Sequence, residues 1–511
     1  MAERVDAVVV GGGLGGLAAA VTLAGAGRKV VVLEQHSVPG GYAQCFQRGP
    51  YRFDVSLHAL NGLAPGGGVD HLYRELGIWD RLRLHRLDPL YQLRLPGRQV
   101  TAHADRYRYE SELIGHFPAE AAGIRAYLDE AFAAYRDSRR MEEDQAAGRM
   151  PAPADFPALA RISGETWEQM MSRHVADTRA RSVLAALWGY FGLPPSRCAA
   201  LAGAIGTAGY HEHGGWYPEG GSGALSNALA QVLRERGGEI RYGLLATGIQ
   251  LNHERATAVT TSDGQRLEAE VFISNASAPA TMLEMVGRDH LPAGYAARVA
   301  GPVPSYTIFN VYLGLNRDVF AEQGLAHELF WRGSVTTEES QAAARRGDWG
   351  KAAVGITDYT QVDPGCAPPG HAAVVLATVA SWDYQDTWGT GGDLAGYHQN
   401  PRYLQIKKEM ADSLIARAAA AVPGLAEAIE FREASTPLTN YRYTRNPRGA
   451  IEGYENSLEN SGPGWLPQET PIRNLFLAGA WTNTGGQNPA VASGAAAARL
   501  AMQLTPAHSP A

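Results

Sequence analysis

Two short apolar runs near the start of the chain predict buried parallel strands, because strands that are buried on both faces are continuously hydrophobic. The first run is Val8 to Val10, and the second is Lys29 to Leu33. Between them, the stretch Leu17 to Ala26 is rich in alanine and leucine and predicts a helix. A strand, a helix and a second strand in this order predict a βαβ unit at the beginning of the chain.

The turn between the first strand and the helix has the spacing G-x-G-x-x-G, formed by Gly11, Gly13 and Gly16. The first glycine permits a tight turn, the second lets a pyrophosphate approach the backbone, and the third lets the helix pack closely on the strand. An acidic residue about 20 positions later binds the ribose 2′-hydroxyl in such units, and Glu34 occupies that place. A βαβ unit without a ligand is the alternative. The strand, the helix and the acid together favour a dinucleotide without a 2′-phosphate.

The pattern further along the chain is first helical and then mostly strand-like. Residues from about Tyr109 to Gly209 predict helices, and Gly214 to Asn275 predicts a helix followed by strands. Other predicted helices are His71 to Leu84, Pro401 to Ala421 and Ala490 to Leu500, and other predicted strands are Tyr91 to Leu95, Gln99 to Ala102, Ser305 to Leu315, Ala352 to Thr360, Ala372 to Ser381, Ala434 to Arg445 and Asn474 to Ala478.

A glycine doublet follows the second strand at Gly40 and Gly41. Such a doublet lets the chain cross close to the pyrophosphate a second time, as expected for a large cofactor held in an extended pose. The continuation therefore favours FAD over NAD. The predicted fold is α/β: residues 1–105, 214–290 and 466–511, the last including the C-terminal tail, form a discontinuous Rossmann-like FAD-binding domain, residues 106–213 a helical cap, and residues 291–465 a mixed-sheet substrate domain.

Four stretches resemble the phytoene desaturase, carotenoid isomerase and retinol saturase group of FAD-dependent oxidoreductases. They are the glycine doublet followed by FDVSLH at Phe53 to His58, GGWYPEGGSGALSNAL at Gly214 to Leu229, TPLTNYRYTRNPRGAIEGYENS at Thr436 to Ser457, and NLFLAGAWTNTGGQNPAVASGAAAARL at Asn474 to Leu500. One position departs from the pattern. Tyr42 follows the glycine doublet directly, where this group often has arginine.

The resemblance also implies which residues hold the cofactor. Backbone near Leu245 and Ala246 would hold the adenine edge, and the N-terminal amides of the closing helix would face the flavin ring. Gly479 and Ala480 stand where many flavoproteins have a Gly-Asp pair that contacts the ribityl chain. The candidate cofactor-binding residues are Gly11, Gly13, Leu14, Gly15, Gly16, Glu34, Gln35, Gly40, Gly41, Tyr42, Leu245, Ala246, Gly479, Ala480, Asn488, Pro489, Ala490 and Val491.

The sequence contains no G-x-S-x-G elbow, no metal-ligand spacing and no P-loop, so a flavin must carry the chemistry. The resemblance implies hydride exchange with a carbon-carbon bond of a lipophilic polyene or isoprenoid, with NAD(P)H as a candidate electron donor. It places His58 on the segment that passes the flavin ring, which makes His58 the candidate proton carrier. A histidine hydrogen-bonded into the core is the alternative. Tyr441, Tyr443 and Arg445 are further candidates for the cavity wall.

The composition of the chain limits the classes of partner and the location that we expect. The chain has 511 residues with 45 Lys and Arg against 52 Asp and Glu, a net charge of −7, and no long basic run, so we expect no nucleic-acid partner. Its three cysteines, Cys45, Cys198 and Cys366, are isolated, and the first strand begins almost at once, which together predict a cytoplasmic protein. The longest uncharged runs are too short or too polar to span a bilayer, so any membrane contact is expected to be peripheral.

Three other functions stay open at this point. A flavin-dependent cis-trans isomerase would use the same site without net redox change. An amine oxidase would have an aromatic cage and often a lysine near the flavin, and no lysine lies in the flavin motifs. A prenyl-binding carrier shares the architecture without flavin, but Glu34 and the glycine doublet argue against it. The direction of the reaction and the oligomeric state stay open as well.

Overall fold

The computed structural model describes residues 3–55, 57–146, 149, 152–333, 336–462, 465–482 and 485–504. Ser56 of the FDVSLH motif, and Asn483 and Thr484 of the closing motif, lie outside the described residues.

A five-stranded, fully parallel sheet forms from three separate parts of the chain. Its strands, in spatial order, are Glu239–Tyr242, Val30–Glu34, Ala7–Val10, Val271–Ser274 and Leu475–Leu477. Side chains alternate between its faces: Val9 and Val32 pack into one core, and Val8, Val10 and Val31 pack into another. The predicted discontinuous, doubly covered nucleotide-binding sheet is therefore present.

A seven-stranded mixed sheet contains five strands from the second half of the chain and two from residues 91–102. In spatial order its strands are Ile429–Ser435, Thr307–Leu315, Ala372–Ala380, Val354–Asp358, Glu328–Trp331, Tyr91–Leu95 and Arg98–Ala102. The pair Glu328–Trp331 and Tyr91–Leu95 is parallel, and the other pairs are antiparallel. Residues 91–102 thus join this sheet, although they fall within the expected first nucleotide-binding segment, residues 1–105. The division into five segments stays a prediction.

The structure also contains smaller sheets. One has four strands, Glu3–Arg4, Arg266–Glu268, Arg255–Thr261 and Ala246–Asn252. Two ribbons pair Cys45–Arg48 with Tyr51–Asp54, and Leu84–Leu87 with Gly215–Pro218. The second ribbon pairs residues 84–87 with the strand Gly215–Pro218. That strand precedes the helix Ser222–Glu235 and the sheet strand Glu239–Tyr242.

Helices cover both sheets and form a cap between them. The α-helices are Leu14–Gly25, Gly68–Leu76, Arg106–His116, Ala121–Ala146, Pro157–Ile162, Trp167–Ser172, Thr178–Leu184, Trp188–Phe191, Ala200–His213, Ser222–Glu235, Ala293–Ala300, Val319–Gln323, Thr337–Arg346, Pro401–Ala421, Pro437–Thr444 and Gln487–Leu504, and Pro279–Gly287 is a π-helix. Among the helices that the structure describes, none is both long and apolar enough to cross a membrane.

Two sequence expectations about elements are wrong. The strand predicted over Ala434 to Arg445 ends at Ser435, and the helix Pro437–Thr444 follows it. Thr436 caps this helix through its hydroxyl oxygen, and proline at the first helical position has the backbone angle that a helix requires. The amphipathic helix expected to reach Leu84 ends at Leu76, because Gly77 has a φ of 78° and terminates it.

Candidate functional site

One cavity of about 2360 Å³ lies between the five-stranded sheet, the seven-stranded sheet and the helical cap. Ordinary small-molecule pockets have about 300–1,000 Å³. The cavity therefore has room for a dinucleotide together with a second long molecule. Its wall includes Gly11 and Glu34 at one side and Trp188, Tyr306 and Phe330 at another.

The glycine-rich loop is packed so tightly that side chains are excluded. A Cβ atom at Gly16 would lie 2.0 Å from the Gly11 carbonyl oxygen, and one at Gly13 would lie 2.6 Å from Nδ2 of Asn275. Gly11 has a φ of 89°, a conformation that favours glycine. These distances give the physical reason for the G-x-G-x-x-G spacing, since helix Leu14–Gly25 begins directly against the strand.

The glycine doublet lies directly on the glycine-rich loop. The Gly40 amide donates to the Gly12 carbonyl oxygen at 2.8 Å, and Gly13 and Gly40 form a parallel bridge. A Cβ at Gly40 would lie 2.2 Å from the Ala43 carbonyl oxygen, and its φ is 118°. The backbone of both segments therefore faces the same part of the cavity, as the sequence predicts for a second crossing near a pyrophosphate.

Glu34 is held by backbone amides at the end of its strand. Its Oε2 atom accepts from the Gly12 amide and its Oε1 atom accepts from the His36 amide, both at 2.7 Å. Burial raises the pKa of Glu34, while these amides act in the opposite direction. The carboxylate lines the cavity beside the glycine-rich loop, which is the position that a ribose-binding acid requires.

The closing segment packs its helix against the first one. A Cβ at Gly494 would lie 1.9 Å from the Gly15 carbonyl oxygen, so the helices Gln487–Leu504 and Leu14–Gly25 touch backbone to backbone. Gly479, with a φ of 86°, approaches the Asn275 side chain, and a Cβ there would lie 2.3 Å from its Oδ1 atom.

Asn275 is a residue that sequence reasoning missed. Its side chain is the nearest neighbour of hypothetical Cβ atoms at Gly13, Gly15 and Gly479, and it lines the cavity. The available signal was a polar residue directly after the parallel strand Val271–Ser274, because ligands of such folds bind at the carboxyl ends of the strands.

Most of the predicted cofactor-binding residues share this one cavity. Gly16, Gly479 and Val491 are not among its lining residues and lie behind it as packing positions. Those that line it are Gly11, Gly13, Leu14, Gly15, Glu34, Gln35, Gly40, Gly41, Tyr42, Leu245, Ala246, Ala480, Asn488, Pro489 and Ala490. A cradle of side-chain-free backbone, a buried carboxylate and a helix N-terminus along one wall fit an adenine dinucleotide.

Tyr42 connects the glycine doublet to the segment around Gly449 and Ala450. Its hydroxyl donates to the carbonyl oxygens of Gly449 and Ala450, at 3.3 and 3.2 Å, and burial raises its pKa. The residue that replaces the arginine common in similar enzymes is therefore a neutral hydrogen-bond donor. It holds the segment around Gly449 against the glycine doublet.

His58 lies in the cavity within a polar cluster. Its Nδ1 atom is 2.8 Å from Oγ1 of Thr357 and 3.2 Å from Oε2 of Glu328, and Thr357 donates to the same Glu328 oxygen at 3.2 Å. Tyr190 stacks on the His58 ring with centroids 5.7 Å apart. Burial lowers the pKa of His58, but the Glu328 carboxylate outweighs it, so the pKa lies above its ordinary value.

Glu328 and Glu452 are acids that the sequence alone did not single out. Glu328 is 2% exposed, and within the described part of the chain its Oε1 atom has no hydrogen-bond partner. Glu452 lines the cavity next to Gly485, where a Cβ would lie 2.3 Å from the Glu452 Cβ. Burial raises the pKa of Glu452 to about 8, although Asn456 opposes it. Glu452 is therefore a neutral acid at pH 7.

The remaining sequence candidates, Tyr441, Tyr443 and Arg445, line the cavity, but they lie in or after a helix rather than on a strand. His211 is a buried histidine outside the cavity wall. It stacks on Tyr109 with centroids 4.1 Å apart, and burial lowers its pKa to about 4, so it is a packing residue.

This fold and this cavity define a flavin-dependent oxidoreductase. The chain matches the family described as "Flavin containing amine oxidoreductase" over residues 14–502, and it belongs to that family.

Similar proteins cover nearly the whole chain. A prolycopene isomerase from an Oncidium hybrid cultivar is 24% identical over 94% of this chain and 80% of its own. An all-trans-retinol 13,14-reductase from Danio rerio is 25% identical over 93% and 82%, and a phytoene dehydrogenase from Streptomyces griseus is 29% identical over 95% and 92%. Among solved structures, the cyclohexylamine oxidase from Brevibacterium oxydans superposes with a TM-score of 0.63 at 17% identity, covering 98% of this chain and 99% of its own.

Proposed function

We propose that this protein holds FAD and acts on a carbon-carbon single or double bond of a lipophilic polyene or isoprenoid. The observation that carries the proposal is the cavity of about 2360 Å³, which continues from the glycine-rich loop to a wall built by apolar and aromatic side chains. An adenine dinucleotide uses the polar side, and a long apolar molecule fits the remaining wall. The names of the three relatives, an isomerase, a reductase and a dehydrogenase, support this class of substrate.

The residues proposed to hold FAD act through backbone and one carboxylate. Glu34 would bind a ribose hydroxyl, the Gly11 to Gly15 loop and the Gly40 to Gly41 doublet would face the pyrophosphate, and the start of helix Gln487–Leu504 would face the flavin. Leu245 and Ala246 line the same cavity and are proposed to flank the adenine. When bound, flavin supplies hydride exchange with carbon.

His58 is proposed to hold and move the matching proton. Its Nδ1 atom is engaged by Thr357 and Glu328, so Nε2 is the nitrogen left for exchange with a substrate. The Glu328 carboxylate stabilises the protonated ring, which can then donate to a carbon centre or receive its proton in the reverse direction. Glu452 offers a second acidic proton elsewhere on the same cavity wall.

The cap supplies the proposed route for the substrate. Ala186, Trp188, Tyr190 and Phe191 from the cap line the cavity. We propose that a lipophilic substrate enters on this side, with peripheral membrane contact by a cytoplasmic protein, and that NAD(P)H is the electron donor if the reaction is a saturation.

The direct test uses purified holoenzyme with phytoene, prolycopene and all-trans-retinol as probes, under anaerobic conditions with NADH or NADPH for saturation and with an added electron acceptor for desaturation. A product 2 mass units heavier indicates saturation, one 2 units lighter indicates desaturation, and an unchanged mass with a new retention time indicates isomerisation. Bleaching of the flavin by NADH or NADPH identifies the donor. Absence of flavin absorbance after reconstitution with FAD, or failure to convert any lipophilic polyene, would contradict the proposal.

Amine oxidation is the competing activity, because the family and the solved structures include amine oxidases. Among the described residues that line the cavity there is no lysine. Putrescine and cyclohexylamine provide the comparison. Hydrogen peroxide production with either amine, in the absence of conversion of any polyene, would favour amine oxidation.

A further inference from the structure

The strand Glu328–Trp331 and the residue after it place three side chains along the cavity. Glu328, Phe330 and Arg332 line the cavity wall, whereas Leu329 and Trp331 pack in a hydrophobic core on the other face. Four residues of extended chain span about 13 Å, so the acid that pairs with His58 and the Arg332 backbone are separated by about that length. Phe330 supplies an apolar surface between them.

Arg332 is almost completely buried, with 2% of its surface exposed. It donates from Nη1 to Oγ of Ser182 at 2.9 Å and from Nη2 to the Ser182 carbonyl oxygen at 2.8 Å. Its buried Nε atom has no hydrogen-bond partner, and no carboxylate of the described residues forms an ion pair with the guanidinium. The Tyr91 hydroxyl, which raises the pKa of Arg332, is also buried and lies beside the Tyr109 side chain.

The guanidinium of Arg332 lacks a directly paired anion among the described residues. Burial lowers the pKa of Arg332 to about 10, with Tyr91 and Glu338 acting in the opposite direction, so the group stays charged at neutral pH. A buried charge without a directly paired carboxylate is unfavourable, because the exposed Glu338 and two neutral acceptors on one serine do not neutralise it. The planar guanidinium has five N–H donors and matches the geometry of a carboxylate.

We propose that Arg332 receives the carboxylate of an amphipathic polyene acid, whose chain then extends along Phe330 toward His58. This inference rests on the proposed function and specifies its substrate class. A pure hydrocarbon would leave the guanidinium unpaired in the complex. An acid at one end of the chain would fix which bond lies near His58, because the position of its head group would be set.

The test measures binding rather than turnover. The probes are trans-parinaric acid, a straight-chain conjugated tetraene whose fluorescence rises when it leaves water, and its methyl ester. They are titrated at pH 7.5 into wild-type holoenzyme and into Arg332→Met, Arg332→Lys and Arg332→Gln. Arg346→Met, an exposed position on the nearby helix Thr337–Arg346, is the matched control. Flavin absorbance and melting temperature verify that each variant is folded.

The wild type is expected to bind the acid about 10- to 100-fold more tightly than the ester, the range of a charge-assisted hydrogen bond. Arg332→Met should bind both probes with the affinity of the ester, Arg332→Lys should keep part of the preference, and Arg346→Met should keep all of it. If Arg332→Met does not fold, Arg332→Gln replaces it, since its amide can still donate to Ser182.

Equal wild-type affinity for acid and ester would overturn the head-group site while leaving the proposed polyene oxidoreductase intact. Acid preference that survives in both Arg332→Met and Arg332→Gln would place the carboxylate elsewhere and also overturn it. Failure of the wild type to bind either probe would contradict both this inference and the proposed function.

Discussion

Nδ1 of His58 lies 3.2 Å from Oε2 of Glu328, which joins a residue of the FDVSLH motif to a strand of the seven-stranded sheet. The Glu328 carboxylate holds the pKa of His58 above its ordinary value against the effect of burial. The raised pKa of His58 therefore depends on an acid from a distant part of the chain.

Glu328→Gln should lower the pKa of His58, because burial remains and the compensating charge is lost. The His58-dependent limb of the pH profile of kcat/KM should then move to lower pH.

Replacing His58 itself tests its role as the proton carrier. His58→Gln should reduce turnover by about 10²- to 10⁴-fold without loss of flavin. The exposed His290→Gln is the control. An unchanged pH profile in Glu328→Gln, or full turnover in His58→Gln, would assign these residues to packing.

Glu452→Gln should stabilise the protein at high pH. The pKa of Glu452 is raised to about 8, so its folded-state contribution is complete below about pH 4.5 and is lost as the pH rises through 8. Removing this group should flatten the pH dependence of the free energy of unfolding between pH 5 and 9, by up to about 5 kcal/mol at the upper end. Denaturant titrations of holoenzyme across this range measure the effect. The exposed Glu427→Gln should keep the wild-type slope, and the same slope in Glu452→Gln would refute the assignment.

Glu34→Ala should weaken FAD binding by about 1–3 kcal/mol, equivalent to about 5- to 150-fold in Kd. The variant loses a ribose partner and also the acceptor for the amides of Gly12 and His36. Fluorescence titration of the apoprotein with FAD gives the constants. Glu239→Ala, on the neighbouring strand, should bind FAD as the wild type does. Wild-type affinity in Glu34→Ala would remove Glu34 from the binding site.

Gly494→Ala should destabilise the protein by about 1–3 kcal/mol, because its Cβ would lie 1.9 Å from the Gly15 carbonyl oxygen and force two helices apart. Gly115→Ala provides the contrast. Gly115 lies in the helix Arg106–His116 with nothing within 4 Å of a Cβ, so alanine should be neutral or stabilise by up to about 1 kcal/mol. Denaturation midpoints compare the two. Equal effects would show that the contact between the helices tolerates a methyl group.

The sequence by itself determined the parts of the site that are local. The turn between one strand and the next helix requires glycine at Gly11, Gly13 and Gly16. The strand that follows sets the position of Glu34. The same kind of signal was present at Thr436 and Pro437, whose cap and proline predict a helix start. The stretch Ala434 to Arg445 is nevertheless predicted as a strand, because the periodicity of a short run does not distinguish a strand from a helix.

Only the tertiary structure decided the chemistry of the cavity wall around Glu328, Arg332 and Glu452. Glu328 meets His58, Glu452 becomes a neutral acid, and Arg332 is a buried cation because strands and helices from distant segments close around them. A carboxyl or guanidinium group has the same intrinsic pKa at any position in a sequence. Its charge and partners change only when folding removes water and brings other groups near, and both depend on contacts that no local pattern records.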